Sequence, residues 1–152
     1  MTNLQQPAAV PAIVLRRVYN APRERVFAAW TNPDIAARFL GPGDTKAADI
    51  TMDVKTGGAY SITMLSPEMG RLVARGTYLE VKAPERLVMT WSWEEDDPAD
   101  EHESLLSLDF NERNGGTELV LTHEKLASVE SRDRHEHGWT MIVDQLGSVV
   151  ES

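Results

Sequence analysis

The sequence predicts an α+β domain in which a curved antiparallel sheet of about seven strands wraps one long C-terminal helix, with two short helices after the first strand. Three observations predict it. Between residues 129 and 150, Trp139, Ile142, Val143, Leu146, Val149 and Val150 recur at steps of three and four, an apolar stripe wide enough to need a covering surface. From Lys46 to His123 the apolar period changes to two, and turn residues separate the runs closely enough to require antiparallel neighbours. The two intervening helical stretches are too short to carry a fold and read as one covering unit at an end of the sheet.

Ile13 to Tyr19 alternates as a strand: Leu15, Arg17 and Tyr19 share one face, and Val14, Arg16 and Val18 the other. Asn20-Ala21-Pro22 breaks it. Pro22 suits the first turn of a helix, with Asn20 or Ala21 near the cap, and Val26, Phe27 and Trp30 make Pro22 to Thr31 amphipathic. Asn32-Pro33 starts a second helix with Ile35, Phe39 and Leu40 on its apolar side, ended by Gly41-Pro42-Gly43.

Ala48, Ile50, Met52 and Val54 are the inward set of the next strand, Thr56-Gly57-Gly58 is a hairpin signal, and Tyr60, Ile62 and Met64 follow. A turn at Ser66 to Gly70 leads into a longer strand, Leu72 to Val81, in which Gly76 predicts a bulge or bend. After Ala83-Pro84-Glu85, Leu87, Met89, Trp91 and Trp93 alternate with Val88, Thr90 and Ser92. Leu106, Leu108 and Phe110 mark another strand, Asn114-Gly115-Gly116 a tight turn, and Leu119, Leu121 and His123 the last strand. Gly138 interrupts the final helix at a typical cost of about 1 kcal/mol against Ala. The expectation there is a neighbour packed too close to admit a Cβ, with a plain helix irregularity as the alternative.

Length and composition narrow the function classes. A chain of 152 residues suits one domain with a real core. The formal net charge of −9 opposes binding to nucleic acid and to anionic membranes. No apolar run approaches the ~20 residues of a membrane span. Residues 1–12 lack the basic region and apolar run of a signal peptide and are expected to be a disordered lead to a domain over residues 13–152. The absence of cysteine excludes disulfides and thiolate-ligated metals and is compatible with the cytoplasm.

Nine short stretches then occur in the order of a known family: Arg17 to Pro22, Val26 to Trp30, Asn32-Pro33, Gly41-Pro42, Gly57-Gly58, Gly76 to Tyr78, Pro84 to Leu87 with Thr90-Trp91, Gly116 to Leu119 with Thr122-His123, and His135 to Trp139. On these the chain resembles the family of homologues of activator of Hsp90 ATPase 1, within the START-like (SRPBCC, helix-grip) superfamily. The resemblance covers roughly Ile13 to Val150. It implies a cavity between the sheet and the long helix that often holds a hydrophobic small molecule, in relatives that include ligand carriers, cyclases, aromatases, a self-sacrificing resistance protein and co-chaperone domains. The chain departs from the family in having Phe39-Leu40 where an aromatic pair often precedes Gly-Pro, which reshapes the expected cavity mouth. The co-chaperone's separate N-terminal domain has no counterpart before Ile13, which lowers the expectation of Hsp90 activation.

Candidate ligand-binding residues are the aromatic and methionine set, Trp30, Phe39, Tyr60, Met64, Tyr78, Met89, Trp91, Trp93, Phe110 and Trp139, with His135 (or Tyr78) as a polar contact. Such residues commonly fill a closed core instead. His123 and His135 can both face the sheet–helix gap as acid/base groups, or serve as hydrogen-bonded structural residues. His135 and His137 are spaced wrongly for one metal, and no metal or cofactor is expected. Seven of the ten residues from Glu94 to Glu103 are acidic, which predicts a mobile, solvated loop. No Walker loop, dinucleotide fingerprint, nucleophile elbow or His-Glu-x-x-His motif occurs.

The sequence therefore points to a monomer or homodimer that binds a small hydrophobic or aromatic molecule. The alternatives are a stress-related or co-chaperone-like domain with a protein partner at its outer surface, or a cyclase/hydratase-type enzyme with a polar cavity residue as acid/base.

Overall fold

The computed structural model describes residues 10–151, so most of the expected N-terminal lead falls outside the described residues; Val10 packs against the core. The elements are β1 (Ile13–Tyr19), α1 (Arg23–Thr31), α2 (Pro33–Ala36), β2 (Lys46–Met52), β3 (Ala59–Ser66), β4 (Gly70–Lys82), β5 (Arg86–Trp93), β6 (Ser104–Arg113), β7 (Gly116–Glu124) and α3 (Val129–Val150). The seven strands form one antiparallel sheet in the order β1-β7-β6-β5-β4-β3-β2. Consecutive strands from β2 to β7 are neighbours, as tight turns require, and β1 closes onto β7.

Local chemistry sets the boundaries. At the β6–β7 turn Asn114 and Gly115 both have positive φ, 52° and 84°, and Arg113 pairs Gly116 across them, the two-residue hairpin that Asn-Gly favours. Asn32 caps α2 by accepting the Asp34 N–H at 3.0 Å, and Ser128 caps α3 by accepting that of Ser131 at 3.1 Å. Helix α1 starts one residue later than expected: Pro22 is extended and occupies the cap position, without a side-chain bond. Helix α2 is a single turn; the chain from Ala37 to Leu40 continues as turns that still bury Phe39 and Leu40.

Two register shifts correct the strand reading. In β2 the pairing slips between Ala47 and Asp49, so Ala48, expected inward, is exposed and Ala47 takes the inward role ahead of Ile50 and Met52. In β4 the slip falls between Tyr78 and Glu80, close to the predicted position. Gly76 itself answers a different constraint, because a Cβ there would lie 2.0 Å from the Thr90 carbonyl oxygen of β5.

The core lies between the concave face of the sheet and α3. Trp139, Ile142, Val143, Leu146 and Val150 of α3 are buried against Leu87, Met89 and Trp91 of β5, Leu106, Leu108 and Phe110 of β6, and Leu119 and Leu121 of β7. Helix α1 closes one end through Phe27, whose ring meets Phe110 edge-on at 5.2 Å. Polar ties hold α3 in place. Tyr19 donates to the Val143 carbonyl at 2.7 Å, and Arg17 pairs with Asp144. The Gln145 amide donates to the Phe39 and Gly41 carbonyls at 2.9 and 2.8 Å, while its oxygen accepts the Gly43 N–H at 2.9 Å.

Candidate functional site

The apolar stripe of α3 extends N-terminally from Ile142 through Gly138 and His135 to Ser131, at steps of four, three and four, the spacing of one helical face. These positions carry little apolar volume. Opposite them the sheet and α3 leave a cavity of about 610 Å³ that is half open to solvent. Its walls are Met64 of β3, Leu72 and Val73 of β4, Trp91 and Trp93 of β5, and Trp139 and Ile142 of α3. The mouth is formed by Pro42 and Thr45, by Met69 at the β3–β4 turn, and by Glu94, Glu95, Asp100 and His102 of the acidic loop. Such a volume is typical of pockets for small organic molecules.

Of the sequence-predicted residues, Met64, Trp91, Trp93, His135 and Trp139 line this cavity. The others pack elsewhere. Trp30 meets Phe39 edge-on at 5.1 Å, and Phe110 packs on Phe27. Tyr60 stacks near Tyr78 at 5.4 Å and donates to the Thr90 carbonyl at 2.5 Å; Met89 and Tyr78 are buried in the core cluster. The sequence reading missed Leu72, Ser131 and Gly138, although the helical stripe passes through the last two.

Gly138 does not admit a close neighbour, contrary to expectation: a Cβ there would meet only the Pro42 Cγ, at 4.0 Å. Its missing side chain leaves space at the cavity wall. The acidic loop is solvent-exposed, as expected, and it also carries bonds to the rest of the chain. Arg75 donates to Glu94 at 3.1 Å and to both carboxylate oxygens of Glu101 at 2.8 Å; Glu101 accepts the Glu95 N–H, and the His102 ring bonds the Lys125 carbonyl. The bidentate pair with Arg75 pulls the Glu101 carboxyl below its ordinary range.

Two histidines, His135 on the cavity wall and His123 behind it, organise the indoles. Trp93 donates its N–H to His135 Nε2 at 2.8 Å, so the ring proton resides on Nδ1, which donates to the Ser131 carbonyl at 2.7 Å. Trp139 donates to His123 Nδ1 at 2.9 Å, so Nε2 carries the proton and donates to Ser104 Oγ at 2.7 Å; that hydroxyl donates on to the Trp91 carbonyl at 2.8 Å. The two imidazoles meet edge to face at 5.0 Å. Both must be neutral for these bonds to form. Burial pushes His123 down to about 3, aided by His135. Burial likewise lowers His135, against the opposing pull of the Ser131 carbonyl and with a further contribution from Arg134. These roles are structural: every ring nitrogen of the pair is engaged. Among the described residues no group of three His, Cys, Asp or Glu is placed to hold a metal ion.

A curved sheet around a C-terminal helix, with a cavity between them, defines a helix-grip domain. The family model of activator of Hsp90 ATPase homolog 1-like proteins matches residues 20–151, and the chain belongs to that family. Protein CV1439 from Chromobacterium violaceum is 27% identical with a TM-score of 0.84, over 93% of this chain and 97% of that one. The AHSA1 (SPO3351) protein from Silicibacter pomeroyi is 26% identical with a TM-score of 0.79, over 91% and 96%. CalU16 from Micromonospora echinospora is 26% identical with a TM-score of 0.70, over 91% of this chain and 75% of that one. A search of curated proteins finds no match. No helix among the described residues is long and apolar enough to cross a membrane.

Proposed function

We propose that this protein binds a small hydrophobic or aromatic molecule in the cavity between β3–β5 and the N-terminal half of α3. One observation carries the reading: Trp91, Trp93, Trp139, Met64 and Ile142 line a half-open cleft of about 610 Å³ between the sheet and α3. The cysteine-free composition suits a reducing compartment, and we place the protein in the cytoplasm on that ground.

Comparison of native and denatured mass spectra of the purified protein tests for a co-purified ligand, which adds mass only in the native spectrum. The site itself is tested with a neutral apolar fluorophore, N-phenyl-1-naphthylamine, titrated into wild type and Gly138→Leu. The leucine side chain enters the cavity from a helix position that favours it over glycine, so folding is retained and binding falls at least tenfold. Unchanged binding by Gly138→Leu removes the cavity as the site. A co-chaperone-like domain acting through its outer surface makes the opposite forecast, with partner capture indifferent to Gly138→Leu and sensitive to surface charge. A cyclase or hydratase acting through His135 requires a ring nitrogen now held by Trp93 or Ser131, and turnover lost in His135→Ala with binding retained would establish it.

A further inference from the structure

The aromatic wall and the acidic mouth of the cavity together select a charge. We infer that its ligand is a hydrophobic organic cation, with an alkylated ammonium group seated against Trp91, Trp93 and Trp139 beneath the acidic loop. This rests on the reading of the cavity as the binding site.

The indoles form a corner. Trp91 and Trp93 are perpendicular, with centroids 5.5 Å apart, and Trp91 and Trp139 are inclined at 58° with centroids 5.0 Å apart. A group placed among rings so inclined meets at least one π face. Trp93 and Trp139 direct their N–H groups to His135 and His123, while the Trp91 N–H is buried with no hydrogen-bond partner among the described residues; Trp93 is half-buried and presents the most accessible ring, whereas Trp91 and Trp139 are 3% and 2% exposed. Indole faces are the best protein partners for a weakly hydrated cation.

The charges point the same way. Of the seven acidic residues between Glu94 and Glu103, Glu94 and Glu101 pair with Arg71 and Arg75, which leaves five without a basic partner among the described residues. Two of those five, Glu95 and Asp100, stand on the cavity lining. Arg75 bonds Glu94 and Glu101, which sets the loop beside the opening. The opposing cation on the lining is Arg134, exposed on α3. An anion entering the cavity would pass this field uphill, and a neutral molecule would leave it unused. A primary ammonium would surrender strong hydration on entry, whereas an alkylated one surrenders little.

The test uses three ligands of one shape measured by isothermal titration calorimetry: (2-naphthylmethyl)trimethylammonium, 2-naphthalenemethanol and 2-naphthylacetate. The cation is expected to bind about tenfold tighter than the alcohol, as one good cation–π contact would give, and the acetate weakest. That preference should shrink at least threefold in Trp93→Leu and in Glu95→Gln/Asp100→Asn. Equal affinity for cation and alcohol overturns the charge assignment and leaves the cavity reading standing, as does tighter binding of the acetate. Failure of all three to bind overturns both.

Discussion

The two halves of α3 meet the same sheet with opposite results. In the C-terminal half Val143, Leu146 and Val150 are 2%, 0% and 1% exposed, and Tyr19 and Gln145 bond the helix to β1 and to the loop after α2. In the N-terminal half the stripe reads Ser131, His135 and Gly138, and a cavity of about 610 Å³ lies between it and β3–β5. The curvature of the sheet and the period of the helix are common to both. What differs is side-chain volume along one line of the helix, and interiors close only where that volume fills the gap.

The contrast can be broken hardest in the packed half. Leu146→Ala removes a fully buried side chain with no adjoining space to absorb the loss, and should cost about 3 kcal/mol in the urea unfolding free energy. A loss below about 1 kcal/mol would mean that the two halves are not packed differently.

Acid should act next, through His123 behind the cavity wall and His135 on it. His123 lies near 3 in the folded protein against about 6.5 unfolded, so between those values the unfolded chain binds more protons. Its contribution is therefore flat above pH 7.5, and stability falls as the pH drops from 6.5 toward 3, by up to about 1.4 kcal/mol per pH unit. His135 acts in the same direction. Urea midpoints at pH 7.5, 6 and 5 measure the slope, and His123→Gln should flatten it; an unaltered slope would place the acid sensitivity elsewhere.

In the open half, Gly138→Ala should stabilise by about 0.5–1 kcal/mol, since helix propensity improves and the added Cβ meets only Pro42 at contact distance. Destabilisation in the same urea assay would restore the reading of Gly138 as a close-packing site. The smallest effect belongs to Arg75→Ala. The thermal midpoint should hardly move, while amide exchange from Glu95 to Glu103 accelerates as the loop loses its anchor. Unchanged exchange would show that Arg75 does not hold it.

Much of this architecture was legible in the chain. The strand from Leu87 to Trp93, the Asn114-Gly115 turn and the stripe from Trp139 to Val150 each depend on residues close in sequence, and all three stand where periodicity placed them. The candidate site was legible only in part. Trp91, Trp93 and Trp139 were identifiable as a large aromatic surface, yet the same reasoning also named Trp30, Tyr60, Tyr78 and Phe110, which are buried away from the cavity. Nothing local distinguishes an indole against a void from one against a phenyl ring.

The sequence by itself determined the α+β class, the antiparallel connectivity and the buried face of the last helix, because hydrophobic period and turn chemistry act within a few residues. Tertiary structure decided the inward phase of β2 at its bulge, the tautomers of His123 and His135, the anchoring of the acidic loop by Arg75, and which part of the stripe stays uncovered. Each of these depends on distances between residues far apart in the chain. A cavity bounded by Pro42, Met64, Trp93 and Gly138 is space that no one of them encodes.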